Sequence, residues 1–401
     1  MRKNAINREL REISGGVCAP SGFKANALSC GIRPNGELDL GLIATDRRCA
    51  AAGVYSTASM QGEPVLVTKK HLKRGYASAI LANGGIANVY IDGKGTRTER
   101  VCHEMDMAGL FSASEVIIAS TGEIGKRLDF SLVEGKLKTL AKGLESSEEK
   151  GALFAQAISS KDGKAYQFSY AFDLGDIPCK IGGIYKGNLH VAPNMATTLV
   201  FLTTDVNITS EMLQKALSAE TRETLNMLDL DGAPSPNDMA CIMANGKAGN
   251  YLISCADTEY SKFCFVLRSV LLKICHKIVR ADCEKKPLYC KVRGVKSKQT
   301  ARAIAKKVVG TEALKRGLQD GKIDVKGILY AVLDLAPSVD LNNVSIILRN
   351  AENTIALFEK GILLSVGKER LAPFLQNEIV CLEVDLQMGN YSATAFSAIK
   401  I

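Results

Sequence analysis

The stretch HVAPNMATTLVFLTTDV, residues 190 to 206, sets a proline–asparagine turn before Ala196, a doubled threonine and an apolar run. Two readings of that junction are open from the residues alone. Threonine and valine start strands well, so Thr197 and Thr198 can simply lead into a sheet. Alternatively, a threonine at a constrained turn can cut its own chain and then serve as a nucleophile, a role that needs a base beside the hydroxyl.

Working outward, a chain of 401 residues can bury a large core and is expected to hold more than one domain. The 46% hydrophobic and 23% charged content fit a soluble globular protein. No apolar stretch approaches the roughly 20 residues that span a bilayer, and the start MRKNAINRELREISGG has no apolar signal core. The expectation is a cytoplasmic protein with no membrane partner.

The twelve cysteines include no C-x-x-C pair. Cys275, Cys283 and Cys290 stand near His276, but at intervals that match no common zinc pattern. They are read as reduced thiols, and with four histidines in all no metal site is expected. The formal charge of +9 has a local source. Between Lys277 and Lys307 stand 11 Lys or Arg against Asp282 and Glu284, and 11 − 2 = 9. Tyr289 is the only aromatic there for base stacking and no nucleic-acid motif is present, so a solvated basic face is expected rather than a nucleic-acid patch.

Short strand-like runs fill the first 120 residues: VCAPSGFKANALSCGI, LDLGLIATD, AAGVYST, PVLVTKKHL, ASAILANGGIANVYI and EVIIAS, the last ending in a Thr121-Gly122 turn. Helical patterns follow at about 132 to 158, 210 to 226, 261 to 280 and 299 to 318. The mixture predicts stacked α/β or α+β layers. NGGIAN, 83 to 88, is glycine-rich but lacks both the dinucleotide spacing and a P-loop lysine. HEMDM, 103 to 107, lacks the second histidine of a zinc-protease helix.

Three segments in order carry a resemblance: AST-GEIG at 119 to 125, GGIYKG at 182 to 187 and APNMATT at 192 to 198. With GGVCAPSGFKA, AAGVYSTASMQGEPVLV, the DG…SPND run at 231 to 238, ARAIAKKVV and EVDLQMGNYSATAF, the chain resembles the ornithine acetyltransferase family of arginine biosynthesis over most of its length. The resemblance implies an αββα self-cleaving core with a smaller C-terminal α/β domain, divided as 1–275 and 276–401. It implies cleavage between Ala196 and Thr197 into an α fragment, 1–196, and a β fragment, 197–401, assembled as a heterotetramer of two of each. Thr197 would be the nucleophile, with its new α-amino group, of intrinsic pKa about 8, as base. Thr121 and Gly122 would form the oxyanion site, and Ser159, Ser160, Lys186, Thr197 and Glu284 would bind substrate. The implied reaction moves acetyl from N-acetylornithine to glutamate through an acetyl-threonine, with no cofactor and with acetyl-CoA as an alternative donor.

The sequence also departs from the family pattern. The acidic D-G-E-G-A-T segment is ADCEKKP here, 281 to 287, so the substrate glutamate falls on Cys283 or, shifted by one, Glu284. K-G-S-G-M-I has become KGNLHV, two prolines enter LDGAPSPND, no N-W-G-R stands near IDVKGIL, and Phe396 replaces a tryptophan. The chain ends at Ile401 before the family's two terminal ligands, which predicts a divergent member with a shortened C-terminus. The alternative readings are a degenerate member with weak, altered or no transfer activity, or a related self-cleaving amidase or aminopeptidase on the same scaffold.

Overall fold

The computed structural model describes residues 10–89, 96–159, 164–187, 198–229, 235–280 and 285–400. The chain divides into two compact units, Met1–Asn188 with Asn194–Thr221 and Pro234–Val270, and Leu189–Pro193 with Arg222–Ala233 and Leu271–Ile401.

In the first unit the chain order is β1 (Arg11–Glu12), β2 (Phe23–Leu28), β3 (Leu40–Tyr55), α1 (Glu63–His71), β4 (Tyr76–Asn83), α2 (Thr96–Met107), β5 (Val116–Ser120), α3 (Phe130–Glu134), α4 (Leu137–Lys142) and α5 (Glu148–Ile158). There follow β6 (Ala165–Leu174), β7 (Ile177–Lys186), β8 (Leu199–Thr204), α6 (Ser210–Glu223), β9 (Met239–Ala244) and α7 (Thr258–Val279), of which α6 from Arg222 and α7 from Leu271 belong to the second unit. The strands run β1-β6-β7-β8-β9-β3-β4-β5, with β2 added on β3.

The long strand β3 serves two layers. Its first half pairs antiparallel with β2 and β4; after a register shift between Ala44 and Cys49, its second half pairs with β9. Exposed Asp46, Arg47 and Arg48 mark the bend. Alternation then sorts the side chains. Ile80, Ala82, Ile117 and Ala119 face a core shared with Leu199 and Phe201 of β8 and with Met239, Cys241 and Met243 of β9. Ala79, Leu81, Val116 and Ile118 face Val101, Cys102 and Met105 of α2 and Leu137 and Leu140 of α4. On the other side, α6 buries Met212, Leu213, Ala216 and Leu217, and its Gln214 side chain binds both the N–H and the C=O of Gly53, at 3.0 and 3.1 Å. The result is the αββα layering that the resemblance implies.

Several local expectations are corrected. PVLVTKKHL is not a strand but helix α1, with Pro64 in its first turn, where a missing N–H costs nothing. Val65, Thr68 and His71 are buried at a three-residue spacing that the valines concealed. LDLGLIATD and AAGVYST are one continuous strand, β3. The region 132 to 158 is three helices, interrupted at Gly135 and at Gly143, with the last capped by the Ser147 hydroxyl. The region 299 to 318 is two, separated at Gly310 and Thr311.

The second unit holds β10 (Lys285–Val295), α8 (Lys298–Val309), α9 (Glu312–Gln319), α10 (Val325–Leu335), β11 (Ser345–Arg349), β12 (Thr354–Glu359), β13 (Ile362–Leu363), α11 (Lys368–Leu375), β14 (Val380–Asp385) and β15 (Tyr391–Lys400). Its sheet runs β13-β12-β11-β14-β10-β15, with β10 parallel to β14 and antiparallel to β15. Part of the basic segment is neutralised by carboxylates from elsewhere in this unit. Arg293 meets Glu383 at 2.6 Å and Asp385 at 3.0 Å, while Lys298 and Arg302 share Glu223 at 2.7 and 2.9 Å. Lys307 pairs with Asp334, and Arg280 with Glu378 at 3.4 Å.

The cysteines are distributed through these layers. Among the described residues all are free thiols; Cys18, Cys30, Cys49, Cys102, Cys179, Cys241, Cys275 and Cys290 are buried, and Cys255 is exposed. Burial pushes the Cys30, Cys49 and Cys102 thiols up to about 12. Among the described residues no helix is long and apolar enough to cross a membrane, and no three His, Cys, Asp or Glu side chains are placed to share a metal ion.

Candidate active site

The site forms where several strand ends meet. β5 ends at Ser120, directly before Thr121; β7 ends at Lys186; β8 and β9 start directly after Thr198 and Asp238. β4 and β5 run parallel, as do β8 and β9, so their paired ends lie side by side.

Thr121 continues the β4–β5 ladder by one bond, its N–H donating to the Asn83 carbonyl at 3.0 Å. The next residue turns the chain. Gly122 has φ +140, and a Cβ there would lie 2.1 Å from the carbonyl carbon of Gly85, so the close approach of the two backbones requires glycine. Among the described residues nothing accepts from the Gly122 N–H, and Gly122 itself is exposed.

The Lys186 ammonium reaches Thr121 across 65 positions of sequence and donates to its Oγ1 at 2.5 Å. Both side chains are buried, Lys186 at 2% exposure. A hydroxyl that accepts from an ammonium keeps its own hydrogen to donate elsewhere. Thr121 Oγ1 and the Gly122 N–H therefore form a pair of adjacent donors, one of them under direct electrostatic influence of a cation, which suits a developing oxyanion.

Behind the turn lies a buried polar network. Ser120 Oγ donates to Asn83 Oδ1 at 2.6 Å, and Asn88 Nδ2 donates to Ser120 Oγ at 2.9 Å. Asn83 Nδ2 holds the Ile86 carbonyl at 2.9 Å, closing the Gly84-Gly85 turn. Asn237 Nδ2 donates to the carbonyls of Ala87 and Ser120, at 2.5 and 3.0 Å. On the β8 side, the Thr198 N–H donates to Asp238 Oδ1 at 2.6 Å, and the Ser235 N–H to Asp238 Oδ2 at 3.2 Å. Burial raises the Asp238 carboxyl well above the usual carboxylate range, and the two N–H donors oppose that shift.

Thr121, Gly122 and Lys186 are thus brought together. Ser159 is occupied locally: its hydroxyl donates to the Ala155 carbonyl at 2.9 Å and accepts from the Ala165 N–H at 2.8 Å, joining the end of α5 to the start of β6. Its carbonyl accepts from the Arg33 guanidinium. Ser160, Ala196, Thr197, Cys283 and Glu284 lie outside the described residues. Sequence reading passed over Asn83, Asn88, Ser120, Asn237 and Asp238. Asparagines flanking a Gly-Gly turn were the available signal, since a turn folded against a strand end buries its amides.

The ArgJ family pattern matches residues 24–398. The arginine biosynthesis bifunctional protein ArgJ 1 of Clostridium acetobutylicum is 32% identical over 377 residues, covering 93% of this chain and 92% of that protein. The ArgJ protein of Symbiobacterium thermophilum is 31% identical over 388 residues, covering 96% and 95%. Among solved structures, the ornithine acetyltransferase of Mycobacterium tuberculosis complexed with ornithine is 30% identical, with a TM-score of 0.37, covering 40% of this chain and 88% of that one.

Proposed function

This chain belongs to the ArgJ family, and we propose that it is an acyltransferase of arginine biosynthesis that moves the acetyl group of N-acetylornithine to glutamate through its own Thr197. The Ala196–Thr197 bond is first hydrolysed within the chain, one water being consumed to leave a carboxylate on Ala196 and a free α-amino group on Thr197. That amine takes the proton of the Thr197 hydroxyl, directly or through water, as the oxygen attacks the acetyl carbonyl. Negative charge gathers on the carbonyl oxygen, where Thr121 Oγ–H and the Gly122 N–H donate to it. Collapse returns the proton to the departing ornithine nitrogen and leaves acetyl on Thr197. The glutamate amine then attacks the acetyl-threonine, the same donors hold the second oxyanion, and N-acetylglutamate leaves with the threonine hydroxyl restored. Acetyl-CoA can enter as a second donor at the first step.

The observation that carries this reading is the buried contact between Lys186 and Thr121, 2.5 Å, which unites two positions assigned separately from sequence. Glu284 and Ser160 complete the substrate contacts in this scheme, and the fragments assemble as two α and two β. The test is intact-mass analysis together with a coupled assay of N-acetylornithine and glutamate. The expected result is two fragments split before Thr197 and turnover that Thr197→Ala abolishes. A single uncut chain, or equal turnover in Thr197→Ala, would falsify the scheme.

A further inference from the structure

We propose that Asn237 and Asp238 act as a two-residue clamp that sets the nucleophile segment against the oxyanion turn, an inference that rests on the reading of Thr197 given above. The two side chains take hold of different strands. Asn237 sits in the turn that leads into β9, and its amide donates to the Ser120 carbonyl at 3.0 Å and the Ala87 carbonyl at 2.5 Å. The Ser120 carbonyl belongs to the peptide group whose nitrogen is that of Thr121. Asp238 accepts the Thr198 N–H at 2.6 Å. That N–H belongs to the peptide group whose carbonyl is that of Thr197.

The dipeptide thus holds the residue directly before Thr121 and the residue directly after Thr197. It is itself held firmly: the Asp238 carbonyl accepts from the Ser56 N–H at 2.8 Å, and the Met239 N–H donates to the Thr198 carbonyl at 3.2 Å. Asn237 is 6% exposed and Asp238 fully buried, so water does not substitute for either bond. Both are positioning residues. A misplacement of about 1 Å at a reacting centre costs on the order of 100-fold in rate, and neither side chain is assigned a contact with substrate.

The test compares wild type, Asn237→Ala, Asn237→Asp, Asp238→Ala and Asp238→Asn, with circular dichroism as the check on folding. Asn237→Ala is expected to lower kcat about 10- to 100-fold while KM stays within about twofold. Asp238→Ala is expected to slow self-cleavage by a similar factor, and Asp238→Asn, which keeps the Oδ1 acceptor, to recover most of that rate. Asn237→Asp preserves shape but points an acceptor at two carbonyls. Its kcat is expected to rise as pH falls and the carboxyl regains a donor hydrogen, a profile wild type lacks. Unchanged kcat in folded Asn237→Ala and Asn237→Asp, with wild type active and Thr197→Ala dead, overturns the clamp alone. Wild type that neither cuts nor transfers overturns the nucleophile reading and the clamp with it.

Discussion

At the level of single residues, the decisive contact is the buried one between the Lys186 ammonium and the Thr121 hydroxyl. Removing the Thr121 hydroxyl while keeping its shape isolates that donor. Thr121→Val is expected to reduce kcat by about 10²–10³ with little change in KM, measured by steady-state kinetics on N-acetylornithine and glutamate. The residues making this contact were legible in the sequence through AST-GEIG and GGIYKG, because hydroxyl, glycine and lysine carry chemistry on their surface. The asparagines that support them were not. Asn83 and Asn88 flank two glycines and read as turn formers, and only the folded chain shows their amides buried against Ser120. Ser159 illustrates the converse: a hydroxyl in an expected substrate position is used to join a helix end to a strand.

Among the elements, α1 and β5 form a unit whose logic is visible only in three dimensions. β5 ends the strand order, and an edge strand presents unpaired backbone groups. Helix α1 covers them with side chains. Thr68 Oγ1 donates to the Ile118 carbonyl at 2.7 Å and accepts from the Ile118 N–H at 2.8 Å, and His71 Nδ1 meets the Val116 carbonyl at 2.8 Å. Thr68→Val leaves both Ile118 groups buried without partners and is expected to cost roughly 2–4 kcal/mol in urea denaturation. Burial lowers the His71 pKa below its ordinary 6.5. The unfolded chain therefore binds the proton more readily between the lowered value and 6.5, and stability is expected to fall as pH drops through that window. His71→Gln, which retains an N–H donor, should flatten that part of the pH profile in the same titration. The valines of 64–72 concealed this helix because Val and Thr favour strands, whereas Pro64 and the three-residue spacing of buried positions carried the weaker, correct signal. By contrast, EVIIAS and the 261 to 280 pattern were long or uniform enough for propensity and burial to agree, and they appear as β5 and α7.

For the molecule as a whole, the strand before the proposed cut and the strand after it are neighbours. β7 and β8 pair antiparallel from Ile181 with Thr204 to Lys186 with Leu199. A break at Ala196–Thr197 leaves that ladder intact, as it leaves the pairing of β3 with β9. The cut chain is therefore expected to elute as one species in native gel filtration and to separate only in denaturant; fragments that part in native buffer would contradict this pairing. The distribution of buried thiols has a separate use. Cys18, Cys49 and Cys241 belong to the core between the sheets, and Cys30 and Cys102 to the layer under α2. Cys275 and Cys290 lie in the second unit. An alkylating reagent added during slow unfolding would stamp each layer as water enters it, so the order of tagged peptides in a mass spectrum becomes a dated record of how this protein comes apart.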